Sequence, residues 1–211
     1  MKRLLIVTLA ALFAATLIAA FFELPAPAVD LPAAVAANLA DSGVAHPVTA
    51  VLLNFRGYDT LLEIGVLLLA LIVVLAVAAR EELGTPAPAD PVLQTLARIA
   101  APLMLLAAVY LLWAGAFRPG GAFQAGAVLA AAAVLLHLSG IAPGWRAPGA
   151  RLRWGLAAGF LVFLAVATAL LAAGALLQYP PAWAGALILL IEATLTVSLG
   201  LILAGLFLFL S

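Results

Sequence analysis

A chain of 211 residues that is 68% hydrophobic, 9% charged and formally neutral is an integral membrane protein and not a soluble domain. It contains no cysteine, which excludes disulfides, thiolate nucleophiles and cysteine metal sites and leaves the redox compartment open. The Lys and Arg residues form no cluster of the kind that binds nucleic acid, and the length leaves no room for a separate soluble domain beside five or six spanning helices.

A spanning helix needs about 20 consecutive apolar residues. Six segments have that pattern: Leu4–Phe22, Thr60–Ala79, Leu96–Ala116, Gly121–Ser139, Arg153–Leu177 and Ala184–Leu210. The expected fold is therefore all-α, with about six transmembrane helices. The first segment, between Lys2-Arg3 and Ala26-Pro27-Ala28, also has the layout of a signal peptide. Its run of about 19 residues is at the upper end for a signal core, so an uncleaved span is expected. The Ala- and Pro-rich stretch Glu23–Pro47 predicts a partly ordered surface loop. Pro86, Pro88 and Pro91 mark the next linker and Gly144–Pro148 a third. Pro102, about two turns into the third span, predicts a kink. Trp113, Trp145, Trp154 and Trp183 fall at or near span ends, as interfacial belt residues do. Gly155-x-x-x-Gly159 on the fifth span has the composition of a helix-contact motif, but in an alanine-rich chain it identifies no partner.

Basic residues orient the spans. With the N-terminus inside, the cytoplasmic side holds Lys2, Arg3, Arg80, Arg98, Arg146, Arg151 and Arg153, and the outer side only Arg56 and Arg118. That asymmetry predicts N- and C-termini both in the cytoplasm. It also singles out two arginines on the wrong side.

Arg56 sits in Asn54-Phe55-Arg56-Gly57-Tyr58-Asp59-Thr60-Leu61-Leu62-Glu63. Asp59 and Glu63 are four apart, on one face if that turn is helical. Two carboxylates and a guanidinium at a membrane entrance suit the binding or passage of a cation. The bland alternative is equally available: Thr60-x-x-Glu63 before an apolar run is a capping box, and Arg56 neutralises Asp59. Arg118 sits in Gly115-Ala116-Phe117-Arg118-Pro119-Gly120-Gly121-Ala122-Phe123-Gln124-Ala125-Gly126. Pro119-Gly120-Gly121 predicts a tight reversal, and the small residues after it let the fourth helix approach a neighbour closely. Gln124 is the side chain there that suits a polar path.

At these motifs the chain resembles a known family. Asn54–Glu63 with Ile64 looks like the F-R-G-[FY]-D-T-x-x-E-I segment in the last part of the large A subunit of Mrp-type sodium/proton antiporters. The E subunit of membrane-bound energy-converting hydrogenases carries a similar segment. Gly115–Gly126 resembles the G-H-N-x-P-G-G-G-F-x-x-G signature of the antiporter's B subunit, and Leu189-Leu190-Ile191-Glu192-Ala193 falls where that subunit has an acidic element. The resemblance implies a fusion: residues 1–80 an E-type module with two transmembrane helices, 81–94 a linker, and 95–211 a B-type module with four. Departures limit what carries over. Ala116 and Phe117 replace the signature's His and Asn, so no relay role attached to that His transfers. Arg118 occupies a variable position, and Glu192 stands where the family has Asp.

Glu192 is the one acidic residue deep in a span. A charge at a helix centre in the bilayer costs about 2.5–3.5 kcal/mol on the insertion scale, so it is expected to face protein or trapped water. Desolvation suits such a group to taking and releasing a proton, or to binding sodium when water reaches it. The alternative is hydrogen-bond glue to a neighbouring helix. Thr196 is one turn away. His137, in the last turn of the fourth span, suits proton relay at neutral pH but is as well explained as an interfacial residue with one wet nitrogen. His46, beside Pro47 in the outer loop, carries less signal still.

No nucleophile constellation, zinc pair or phosphate-cradling loop is present. No cofactor or metal centre is expected from two histidines and no cysteines. A free-standing transporter needs several midplane polar groups, and only Glu192 is deep. The expectation is a non-catalytic subunit that completes or supports an ion path among other membrane subunits and lipid. The resemblance implies a sodium/proton antiporter in a bacterial or archaeal plasma membrane, or the related membrane arm of a hydrogenase-like, redox-driven complex.

Overall fold

A computed structural model of the chain describes residues 2–24, 29–78, 90–141 and 149–210. Among these the architecture is all-α, and the chain forms two compact units, residues 1–34 and 35–211. Arg80, Pro86, Pro88, Trp145, Arg146 and the linker prolines up to Pro148 lie outside the described residues.

In the first unit, α1 (Lys2–Phe22) is apolar on all sides, and every side chain described from Arg3 to Phe22 is exposed. A helix with no polar face belongs in hydrocarbon. The stretch Glu23–Pro47, expected as a loop, is partly helical instead. It contains α2 (Leu31–Asn38), which runs across the unit boundary, and, within the second unit, a 3₁₀ turn, Leu39–Ser42. Asp30 caps α2, its Oδ1 accepting from the Ala33 N–H at 3.1 Å. Pro32 falls in the first turn, where no donor is required. Alanine and proline content thus misleads where the prolines sit at helix starts.

In the second unit, α3 (Pro47–Ala50) runs into a π-helical turn, Val51–Phe55, and breaks at Arg56. Then follow α4 (Gly57–Ala78), α5 (Pro91–Ala114), α6 (Ala122–Leu138), α7 (Ala150–Ala173) and α8 (Pro181–Leu210). All six apolar segments are helices, and α5 continues through Pro102 without ending. Among the described residues, five helices are long and apolar enough to cross a membrane: α1, α4, α5, α7 and α8. The fourth segment forms α6, which keeps the expected bounds to within a residue at each end but is shorter than the others. Its 17 residues span about 25 Å, less than the roughly 30 Å of hydrocarbon.

The core is built around α8. Ile188, Ile191, Leu195, Leu199 and Ile202 are buried there, against Phe163, Ala167 and Leu170 of α7 and Leu61, Ile64 and Leu71 of α4. Lipid tails are as apolar as leucine, so close packing and not water exclusion holds such helices together. Small residues permit it. A Cβ on Gly126 of α6 would lie 2.9 Å from Leu199 Cβ, and one on Gly159 of α7 would lie 2.8 Å from Ser198 Cβ. Gly155 would meet Leu201 in the same way. The Gly155-x-x-x-Gly159 pair therefore has an internal partner, α8. Ser198 Oγ donates to the Leu156 carbonyl across the same interface. Apolar helices on this scale make the chain a multi-pass membrane protein.

Candidate ion site

The turn between α5 and α6 carries the site. Gly121 has φ +105° and ψ −172°, a region open essentially to glycine alone. Its N–H donates to the Leu111 carbonyl at 2.8 Å, which folds the turn back on the end of α5. A Cβ here would lie 2.7 Å from Glu192 Oε1. The missing side chain is therefore what lets a carboxyl from α8 reach the start of α6. The Ala122 N–H donates to Glu192 Oε1 at 3.4 Å, while Gly121 offers α6 no side-chain cap. A helix N-terminus carries roughly half a positive charge, and Glu192, 3% exposed, takes the place a capping side chain would hold.

Glu192 lies eleven residues into α8, so the turn it meets sits about 16 Å along that helix, and carbonyls at such depth must find protein donors. The segment before α4 supplies them. Thr49 Oγ1 donates to the Gly115 carbonyl at 2.6 Å, and the Ala45 and His46 amides donate to the Ala116 carbonyl at 2.8 and 3.1 Å. Gly43, at φ +81°, anchors that segment: its carbonyl oxygen lies 2.7 Å from where a Gly185 Cβ would stand at the start of α8. Asn54 Nδ2 donates to the Ser42 carbonyl at 2.9 Å. Thr60 Oγ1 donates to the Leu52 carbonyl at 2.6 Å, inside the π turn. Since α4 begins at Gly57, Thr60 lies within the helix and the capping box does not form.

These elements enclose a cavity of about 420 Å³. Glu63, Gln124 and Pro119 are exposed on its rim, His46 is half-buried, and Thr49, Thr60, Gly121 and Glu192 are buried below. The structure thus joins all three sequence motifs: Glu63 from the first, Pro119, Gly120, Gly121 and Gln124 from the second, and Glu192 from the third. Two carboxyl groups and an imidazole are suited to a proton or a monovalent cation. Among the described residues no three His, Asp or Glu groups cluster as a metal site would require.

Other candidates lie elsewhere. Arg56 and Asp59 form an ion pair whose side chains are 70% and 53% exposed, and neither lines the cavity. Thr196 donates its hydroxyl to the Glu192 backbone carbonyl at 2.8 Å, one turn back along the helix, and does not face the cavity. His137 is at the far end of α6, 15 residues from Ala122 and so about 22 Å away along the helix. Its Nδ1 is buried without a hydrogen-bond partner. Conversely, His46 and Thr49 belong to the cavity wall with no motif to announce them. The only local signal is a histidine directly before a proline that starts a helix.

Residues 92–210 match the family described as "Domain related to MnhB subunit of Na+/H+ antiporter". No curated protein matches the chain. Solved structures with the same fold include a chain of the membrane-bound sulfane sulfur reductase (MBS), an archaeal respiratory membrane complex. It is 23% identical, with a TM-score of 0.79 over 99% of this chain and 97% of that one. A chain of the Mrp complex from Dietzia sp. DQ12-45-1b is 23% identical, with a TM-score of 0.64 over 95% of this chain and 26% of that one. The chain thus has the full length of the first relative and about a quarter of the second.

Proposed function

This chain belongs to the family of domains related to the MnhB subunit of Na+/H+ antiporters, and from that membership we propose that it is a non-catalytic membrane subunit of a multi-subunit, Mrp-type cation/proton antiporter. The observation that carries the reading is the meeting of Glu63 and Glu192 in one cavity, with Glu192 held on the recessed start of α6. A carboxyl placed there exchanges a helix-terminal amide for a proton or a cation as water enters. Sodium is the cation and protons the counter-ion. Glu192 is the central group, Glu63 the rim group, and Gln124 a polar lining. The Arg56–Asp59 pair sets the local charge at the entrance and Thr196 supports the Glu192 turn, while His137, at the far end of α6, takes no part in conduction. Residues 1–80 form the E-type module and 95–211 the B-type module, joined by 81–94. The family match beginning at residue 92 supports that division. Partner subunits in a bacterial or archaeal plasma membrane complete the path, with both termini in the cytoplasm.

A second reading, a subunit of the membrane arm of a redox-driven complex, is favoured by one observation. The chain of the respiratory complex is matched end to end, whereas the Dietzia chain is matched over 26% of its length. The test has two parts. Mass spectrometry of the native assembly, purified through this chain, identifies antiporter subunits alone or redox subunits beside them. Glu192→Gln keeps an acceptor for the Ala122 amide but cannot ionise, so the assembly forms and sodium/proton exchange in vesicles is lost. Unchanged exchange removes the site.

A further inference from the structure

The hydrogen bonds around His46 determine which ring nitrogen is chemically available. Thr49 has one hydroxyl proton, and it is given to the Gly115 carbonyl at 2.6 Å. His46 Nδ1 lies 3.4 Å from the same Thr49 oxygen. With its proton committed, that oxygen can only accept, so Nδ1 must carry a hydrogen to make the contact. The neutral ring is therefore the Nδ1–H tautomer, and Nε2 holds the lone pair. Nε2 has no partner among the described residues, and the ring lines the cavity. The imidazole is not a helix cap either: its side chain makes no capping bond to α3. Its backbone is fixed by the bond from its amide to the Ala116 carbonyl.

We propose that His46 is the proton-exchanging group of this cavity, taking up and releasing protons at Nε2 alone and passing them through water to the carboxyl groups of Glu63 and Glu192. The proposal rests on the cavity's being an ion site. Nε2 accepts a proton from a hydronium ion at the rim, leaving water and an imidazolium whose Nδ1–H still faces Thr49. The same Nε2 proton then passes to cavity water and on to a carboxylate, which becomes a neutral carboxylic acid, and the ring returns to its starting tautomer. Because entry and exit use one nitrogen, no tautomer exchange is required. Histidine is suited to the step because one ring nitrogen can keep its hydrogen bond while the other takes and gives a proton. The ionisable groups lining the cavity with it are Glu63 and Glu192, with Arg118 next to the lining residue Pro119.

The native assembly in proteoliposomes provides the test. His46→Ala is expected to lower sodium/proton exchange at least tenfold, and added imidazole to restore a substantial part. Imidazole should do nothing for Glu192→Gln. Full activity of His46→Ala beside an inactive Glu192→Gln would overturn the role of His46 and leave the site intact, whereas full activity of both would overturn the site itself. Loss in His46→Ala without imidazole rescue would also overturn the proposal, because it marks a structural role. Should the variant fail to assemble, nitrogen NMR of the histidine-labelled wild-type assembly decides. Hydrogen on Nδ1 with a bare Nε2 supports it, and the opposite tautomer overturns it.

Discussion

The two ends of α6 carry the same kind of cargo and treat it differently. At the start, a buried carboxyl from another helix meets a backbone amide, and a cavity connects it to an exposed carboxyl. At the end, His137 keeps a buried nitrogen with no hydrogen-bond partner and does not line that cavity. An ionisable side chain in a membrane helix is thus not by itself a site. What distinguishes the first end is backbone: a glycine turn that admits the carboxyl, and a second segment that satisfies the turn's carbonyls. Where that scaffold exists, water and a proton have partners.

Substitutions can break or sharpen this contrast. The largest effect is expected for Gly121→Val. Its backbone conformation excludes side chains at a cost of about 1–3 kcal/mol, and the new Cβ falls on the Glu192 carboxyl. Assembly yield and thermal stability should both fall sharply; a variant of wild-type stability would show the turn to be replaceable. Glu63→Gln should slow exchange several-fold at normal yield, less than Glu192→Gln, because an exposed rim carboxyl is in part replaced by solvent. Equal losses would put both acids at the same step. His137→Gln should leave exchange within about twofold, since one buried hydrogen bond or its absence is worth about 1–3 kcal/mol of stability and not a conducting group. A loss matching Glu192→Gln would extend the path along the whole of α6. The smallest effect is expected for Tyr179→Phe. That phenol lies outside the spans, buried and without a hydrogen-bond partner, and burial pushes its pKa up. Removing the hydroxyl should leave exchange unchanged and stability equal or slightly higher in thermal unfolding of the assembly.

Much of this was readable from residues alone, for a physical reason. Spanning helices are long and apolar, so six segments declare themselves. Glu192 declares itself because a carboxyl in such a run needs an explanation, and Pro119-Gly120-Gly121 because few other sequences reverse so tightly. Other features depend on contacts between distant positions and leave no periodic trace. Thr60 looks like a cap in sequence, yet its hydroxyl serves Leu52 because the helix starts three residues earlier, at Gly57. His46 and Thr49 gain importance only from carbonyls at 115 and 116, some 66 residues on in the case of Thr49 and Gly115. The bounds of α6 were legible to within a residue at each end, but the contact of Gly121 and Ala122 with Glu192 was not, because hydropathy does not record it.

The shortness of α6 bears on the electrostatics of the proposed path. A helix about 5 Å shorter than the hydrocarbon slab replaces the same thickness of oil with polar loop and aqueous vestibule. On the proposed ion path, a hydrated ion approaching from this side would shed its water against protein oxygens instead of against acyl chains, and the Born barrier in front of it would be correspondingly thinner.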